Sequence, residues 1–109
     1  MDKSILSQEV TQLHADIGSA LADPRRILLL YALGEAPRNV SELAMELDIS
    51  QPSTSRHLKI LRERGLVHAS RQGASVEYRL TDYRLIDALD LLRNVLRDRL
   101  AYRASLMEE

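Results

Sequence analysis

The stretch Ser50-Gln51-Pro52-Ser53-Thr54-Ser55-Arg56-His57-Leu58-Lys59-Ile60-Leu61-Arg62-Glu63-Arg64-Gly65-Leu66-Val67 decides the architecture. Ser50 is a good N-cap, and Pro52 sits in the first helical turn, where its missing N–H costs nothing. The helix predicted from this start runs to about Arg64. Gly65 stands where a left-handed residue closes a helix. Thr54, Leu58 and Leu61 recur at helical spacing and predict the face that anchors on a core. Gln51, Ser53, Ser55, Arg56 and Lys59 fall outside that anchor.

Downstream the period changes to two. Leu66–Arg71 and Ser75–Leu80 read as strands, with Gln72-Gly73-Ala74 as the hairpin tip. Upstream, Ser41 is a cap for a short helix over Glu42–Leu47, and Asp48-Ile49 forms a tight turn. Glu35–Val40, with Pro37, is a connector. Asp23-Pro24 reads as a cap and first turn of an apolar helix that stops at Gly34. A first helix spans about Ser4–Leu21, with Leu6, Val10, Leu13, Ile17 and Ala20 at alternating steps of four and three. A last helix opens at Thr81 or Asp82 and runs to about Ser105. Its stripe is Leu85, Leu89, Leu92, Leu96 and Leu100, broadened by Ile86, Ala88, Leu91 and Val95.

The predicted order is α-α-α-α-β-β-α in one domain over 1–109: mainly α with a small β-hairpin wing, a winged helix-turn-helix. The helix-turn-helix covers 41–64 and the wing 66–80. The helices over 1–22 and 82–105 carry more apolar surface than one small domain covers, so they are expected to dimerise. Leu6, Val10, Leu13, Ile17, Leu89, Leu92 and Leu96 are the expected homodimer interface.

Composition narrows the function. The chain has 109 residues, 45% hydrophobic and 28% charged, the balance of a soluble globular protein. It holds four Tyr but no Phe, Trp or Cys, so a thiolate metal site, a disulfide framework and a Cys nucleophile are excluded. No apolar run has the length of a membrane span, and Met1-Asp2-Lys3-Ser4 leads into an amphipathic segment; a cytoplasmic protein without a membrane partner is expected. No nucleophile, base and orienting group share a spacing, so no catalytic residue, enzyme activity or cofactor is expected.

Net charge is −1, yet residues 50–79 hold six basic side chains against two acids. A local cationic patch on an otherwise acidic chain suits a phosphate backbone. A helix entering the major groove by its N-terminus needs short polar groups near the bases, and Gln51, Ser53 and Ser55 fit. Arg56 adds a fork able to hold guanine at two points. Lys59 follows on the same side. Arg71 and Gln72 at the hairpin tip can reach a phosphate or the minor groove. Double-stranded operator DNA is the expected partner.

The stretch 50–67 resembles the ArsR family of small bacterial winged-helix repressors, which typically read Ser-Gln-x-x-x-Ser-x-His-Leu-x-x-Leu-x-x-x-Gly-Leu-Val there. Asp23-Pro24-Arg25-Arg26, Ser41-Glu42-Leu43-Ala44 and Tyr78-Arg79-Leu80 extend the resemblance over roughly residues 12–100. It implies a homodimer built on the first and last helices, operator binding near a regulated promoter, and release on a chemical signal. The signal is where this chain departs from the family. Ala44 and Glu46 occupy the usual thiol positions of metalloid sensors. Of the zinc-sensing pattern on the last helix Asp82 survives, but Arg84, Val95 and Asp98 hold the other places. The inducer is therefore expected not to be thiol-dependent and no metal site is expected. What remains is a small organic effector between the first, second and last helices near Tyr31, or no ligand and control by protein abundance.

Two other readings compete. One is a metal-responsive repressor with an oxygen/histidine site, for which His14 and Asp16 with the last helix of a second copy are the only ligands available. The other is a winged-helix protein-interaction module, which would call for an acidic or apolar recognition helix. Singled-out residues also have plain structural roles. His57 reads as an interior or rim histidine, His68 as structural, His14 as an interface or surface residue and Tyr31 as core with its hydroxyl needing a partner. Arg93, Arg97, Arg99 and Arg103 read as a solvated or dimer-rim face.

Overall fold

Most helices begin where a short polar side chain closes the first turn. The computed structural model of the chain describes residues 2–108; Met1 and Glu109, the ends of the predicted 1–109 unit, lie outside the described residues. Helix α1 spans Lys3–Leu13, and its cap Asp2 accepts the Ser4 N–H at 2.7 Å. The predicted single helix over 4–21 is interrupted: a π-helical turn follows at His14–Gly18. There Ser19 Oγ donates to the Ala15 carbonyl at 2.5 Å, while the Ser19 N–H goes back to His14. A side chain competing for a ladder carbonyl is the local reason for the wider turn.

Helix α2 spans Pro24–Glu35 behind the Asp23 cap. It passes through Gly34 rather than stopping there. The missing side chain matters for packing instead, since a Cβ at Gly34 would lie 3.1 Å from Ile86 Cγ1. Strand β1, Arg38–Asn39, comes next and leads into α3, Val40–Leu47. Asn39, not Ser41, caps α3: Asn39 Oδ1 accepts the Glu42 N–H at 2.9 Å and Glu42 Oε1 accepts the Asn39 N–H at 3.0 Å. That reciprocal pair satisfies two orphan donors at once, which Ser41 alone does not. Asp48 turns the chain in the left-handed region with φ 54°.

Helix α4 spans Gln51–Glu63 behind Ser50, and Gly65 follows it with φ 77°, as its position predicts. Strands β2, Val67–Gln72, and β3, Ser75–Leu80, form the antiparallel wing, joined by Gly73-Ala74. β1 adds to the far edge of β3, giving the order β1-β3-β2 with Arg38 opposite Tyr78 and Asn39 opposite Glu77. Helix α5 spans Arg84–Met107. Its N-cap is Tyr83, which makes no side-chain cap bond, so the predicted opening at Thr81 or Asp82 lies before the helix; Asp82 accepts the Arg84 N–H at 2.9 Å from there.

The core is small and aliphatic. Leu29, Leu30 and Leu33 of α2, Leu43 of α3, and Leu58 and Leu61 of α4 are fully buried. Leu66, Val67 and Leu80 seal it from the wing, and Leu89 from α5. Every described residue of α1 is exposed, and so is every residue of α5 from Leu91 onward. The folded unit is thus the helix-turn-helix and wing on α2, with two projecting helices.

Truncating Leu58 to Ala leaves a void between α2 and α4 and is expected to cost about 2–5 kcal/mol. Urea unfolding at fixed protein concentration measures it. A loss of less than about 1 kcal/mol would mean that the site collapses and that this contact does not hold the core together.

Candidate nucleic-acid interface

The inward side of α4 determines what its outer side presents. Ser53, Thr54, His57, Leu58 and Leu61 are all buried. At about 100° per residue these five positions cover an arc of about 140°. This arc is wider than Thr54, Leu58 and Leu61 alone indicate, and it takes in Ser53. Ser53 is only 8% exposed, so it does not stand on the outer face predicted for it. Its N–H instead donates to Ser50 Oγ at 3.2 Å, and Thr54 Oγ1 donates to the Ser50 carbonyl at 2.9 Å.

Gln51, Ser55, Arg56 and Lys59 are exposed on the other side, with Pro52 between them. Gln51 is held in place: its Nε2 donates to Ser41 Oγ on α3 at 2.5 Å. That leaves its carbonyl and one N–H available. Arg62, one turn beyond Lys59, extends the same exposed row, and the i+3 step from Lys59 is the signal for it. Lys59 sits 4.0 Å from Glu63, a loose exposed pair. Arg56, Arg62 and Arg71 enter no ion pair among the described residues.

The wing register separates the two tip residues. Arg71 pairs with Val76 and shares a face with Val67 and Ala69. Gln72 pairs with Ser75 and lies on the other face, where its Nε2 donates to Ser70 Oγ at 3.3 Å. His68 is exposed opposite Arg79, which pairs with Glu77 at 3.1 Å.

The expected dimer face divides in the same way. Leu6, Val10, Leu13, Leu92 and Leu96 are exposed, as are Leu91, Val95 and Leu100. Ile17 is partly buried against the chain's own core, and Leu89 is 6% exposed within it. Leu89 is therefore not available to a second copy. The reason is the close crossing of α5 over Gly34, which commits the first turns of α5 to the core.

Tyr31 stands between α2 and α5. Its hydroxyl donates to Asp90 at 2.7 Å, and the Arg93 guanidinium lies 5.2 Å from the ring centroid. Burial first, then the Asp90 carboxylate, push the Tyr31 hydroxyl above its usual range. Pro24, Ile27, Leu28, Tyr31 and Arg93 line an open hollow of about 470 Å³. α1 contributes nothing to it, unlike the predicted three-helix site.

Residues 23–69 match the sequence family described as "Bacterial regulatory protein, arsR family". The HTH-type transcriptional repressor SmtB of Mycobacterium tuberculosis is 41% identical over 78 residues, 72% of this chain and 58% of the repressor. The crystal structure of Rv0081 of M. tuberculosis superposes with a TM-score of 0.76 at 31% identity, covering 87% of this chain and 96% of that one. The chain belongs to the ArsR family. A second likeness is the solution structure of a fragment of Mb0332 of Mycobacterium bovis, described as a homodimeric winged helix-turn-helix DNA-binding domain of a possible ArsR-family transcriptional regulator. It has a TM-score of 0.72 at 28% identity, covering 92% of this chain and 89% of that one. This ArsR-family chain spans less than two thirds of the length of SmtB.

In this ArsR-family chain Asp16, one of the two side chains offered for a metal, is already engaged. Gln12 Nε2 donates to it at 2.5 Å and Arg64 lies 3.7 Å away. His14 is exposed in the same π turn. Among the described residues no three His, Asp or Glu side chains cluster as a metal would need. No described helix is long and apolar enough to cross a membrane.

Asp23 caps α2 and pairs with Arg25 at 3.0 Å, and the Arg25 contacts lower its pKa from 3.8 to about 2. Between those two values the unfolded chain binds more protons than the folded one, so stability falls as pH drops through that window. Asp23→Asn keeps a capping oxygen but cannot titrate there. Thermal melts from about pH 5 to pH 2 should show a shallower acid loss for Asp23→Asn than for the natural chain. Parallel acid limbs would remove Asp23 from the account.

Proposed function

We propose that this chain is a sequence-specific DNA-binding transcriptional regulator, a repressor that holds duplex operator DNA as a homodimer. The observation that carries this reading is the outer face of α4. Gln51, Ser55, Arg56, Lys59 and Arg62 form a polar and cationic row on a helix whose inner side is locked in the core. A major groove accepts one helix, and Arg56 and Gln51 are the side chains able to read base edges. Arg71 serves as a phosphate contact, and Gln72, on the opposite side of the hairpin, as a second wing contact. An acidic or apolar α4 would favour a protein-interaction module, and this row is neither.

The dimer reading rests on α1 and α5. Leu6, Val10, Leu13, Leu92 and Leu96 remain exposed after the core is complete, and a second copy covers them. Two-fold symmetry then sets two recognition helices about one DNA turn apart. The functional segments are 1–22 and 82–105 for dimerisation, 41–64 for the helix-turn-helix and 66–80 for the wing. The relatives named repressors and the homodimeric neighbour support the same reading.

The inducer follows by chemistry. Arsenite and persulfide need thiols, and this sequence has none. The hollow beside Tyr31, apolar with one guanidinium, suits a small organic effector. Operator binding is expected to be unchanged by arsenite and persulfide. A stoichiometric, reversible loss with either would overturn that assignment.

Selection of bound duplexes from a random pool by the intact protein tests the main reading. The expected result is a paired motif with half-sites about one turn apart. No enriched motif would sink it. Arg56→Ala should cost about 1–3 kcal/mol on the selected site and relax one base position. Arg71→Ala should weaken all duplexes alike and reduce the salt slope by about one. Leu92→Glu should give a monomer by light scattering; an unchanged dimer would remove α5 from the interface.

A further inference from the structure

The recognition helix is tied by polar contacts to the segment that follows α1. Arg26, partly buried on α2, makes three of them. Its Nε donates to the Ala20 carbonyl at 2.6 Å, its NH2 to the Ser19 carbonyl at 3.3 Å, and its NH1 to His57 Nδ1 at 3.3 Å. The two carbonyls belong to the end of the first helical segment, where the Ser19 carbonyl also accepts the Ala22 N–H at 3.3 Å and the Ala20 carbonyl takes the shortest Arg26 bond. A planar fork of five donors can serve both and still reach a third acceptor; an ammonium cannot match that geometry.

Arginine only donates, so His57 Nδ1 must be the bare nitrogen and the proton must sit on Nε2. Nε2 in turn lies 4.0 Å from the Asp23 carboxylate. His57 is 8% exposed, within the inward arc of α4. At the far end of the same helix Arg64 pairs with Asp16 of the π turn at 3.7 Å. α4 is therefore held at two points, seven residues apart, to the segment that continues α1.

We propose that Arg26 is a positioning residue for the recognition helix: through neutral His57 it sets the orientation of α4 against the helix that carries the dimer face. This rests on the reading of α4 as the DNA-contacting helix. The link is proton-sensitive. A proton on Nδ1 removes the acceptor and adds a cation facing Arg25 and Arg26 on α2 and Arg56 on α4, with Asp23 the one facing acid. Burial first, then those arginines against Asp23, hold His57 below its ordinary value. The unfolded chain then binds more protons below about pH 6.5, so the link stabilises the fold above that pH and weakens as pH falls below it.

Two measurements on the full chain test this. Ring nitrogen shifts of His57 at neutral pH should report the Nε2–H tautomer, and Arg26→Lys should disturb them. An Nδ1–H tautomer, or shifts indifferent to Arg26→Lys, would overturn the proposal without reference to DNA. On the selected duplex, Arg26→Lys should lose about tenfold in affinity while remaining a cooperatively melting dimer. His57→Asn, whose Oδ1 stands where Nδ1 stood, should stay within about threefold of the natural chain. It should also abolish the affinity loss expected of the natural chain as pH falls below about 6.5. Natural affinity for Arg26→Lys, or identical pH profiles for His57→Asn and the natural chain, would refute the role. If no duplex is selected, the reading of α4 fails and the ring shifts alone decide whether the link exists.

Discussion

The contact between the inward arc of α4 and the leucines of α2 is the constraint on which the rest depends. Leu58, Leu61 and Thr54 are fully buried against a cluster that includes Leu29, Leu30 and Leu33. Each buried leucine contributes about 1.5–3 kcal/mol in transfer free energy. Rotating α4 by one residue, about 100°, would turn Ser55 or Arg56 toward that cluster and expose Leu58 or Leu61. Both changes are unfavourable, so the inside of the helix dictates its outside. The wing inherits the same register. Leu66 N–H donates to the Leu61 carbonyl at 2.9 Å and Thr81 N–H to the Leu66 carbonyl at 3.1 Å, which fixes where the hairpin leaves the core.

The projecting helices follow a different rule. Isolated helices are marginal in water, and most helical stability comes from packing an apolar face. In α5 the first turns pack on the chain's own core through Leu85, Ile86 and Leu89. The stripe then continues as Leu92, Leu96 and Leu100 with nothing of the same chain over it. One periodic pattern therefore serves two tasks, split at the point where α5 leaves Gly34. The split arises from geometry, because α5 outruns the small core that its first turns help to close.

That division explains what the amino-acid pattern revealed and what it hid. The start of α4 at Ser50, its end before Gly65 and the hairpin at Gly73 are local events, and each was legible from one or two residues. Leu89 and Leu92 look alike in the heptad, and only the position of α2 separates them. Ser53 is buried although its spacing places it outside the Thr54, Leu58 and Leu61 face, because the width of a buried arc depends on how deeply a helix sits. β1 exists only because Arg38 and Asn39 meet Tyr78 and Glu77 from about forty residues away, and no local pattern marks so short a strand. Asn39 rather than Ser41 is the cap because its partner Glu42 lies three residues on, a capping box that the sequence itself spells out. The links from Arg26 to His57 and from Asp16 to Arg64 were hidden for the same reason as Leu89: the partners belong to different elements.

The nature of those links bears on how such a protein can respond. Apolar packing is non-directional, and its strength follows area, so it holds α4 firmly but distinguishes poorly between nearby orientations. Hydrogen bonds lose strength steeply with angle, and an ionisable acceptor can be withdrawn by one proton. The inward arc of α4 is apolar or small except at His57, which faces Arg26 and Asp23. An apolar residue there would keep the helix in place without tying it to the segment leading from α1. A histidine that accepts from Arg26 makes the orientation of the outer face depend on the end of that segment. On the proposed role of Arg26, a change in how the segment leading from α1 packs would reach Arg56 and its neighbours through a directional contact, because a site can bias another only where the two states differ in specific interactions.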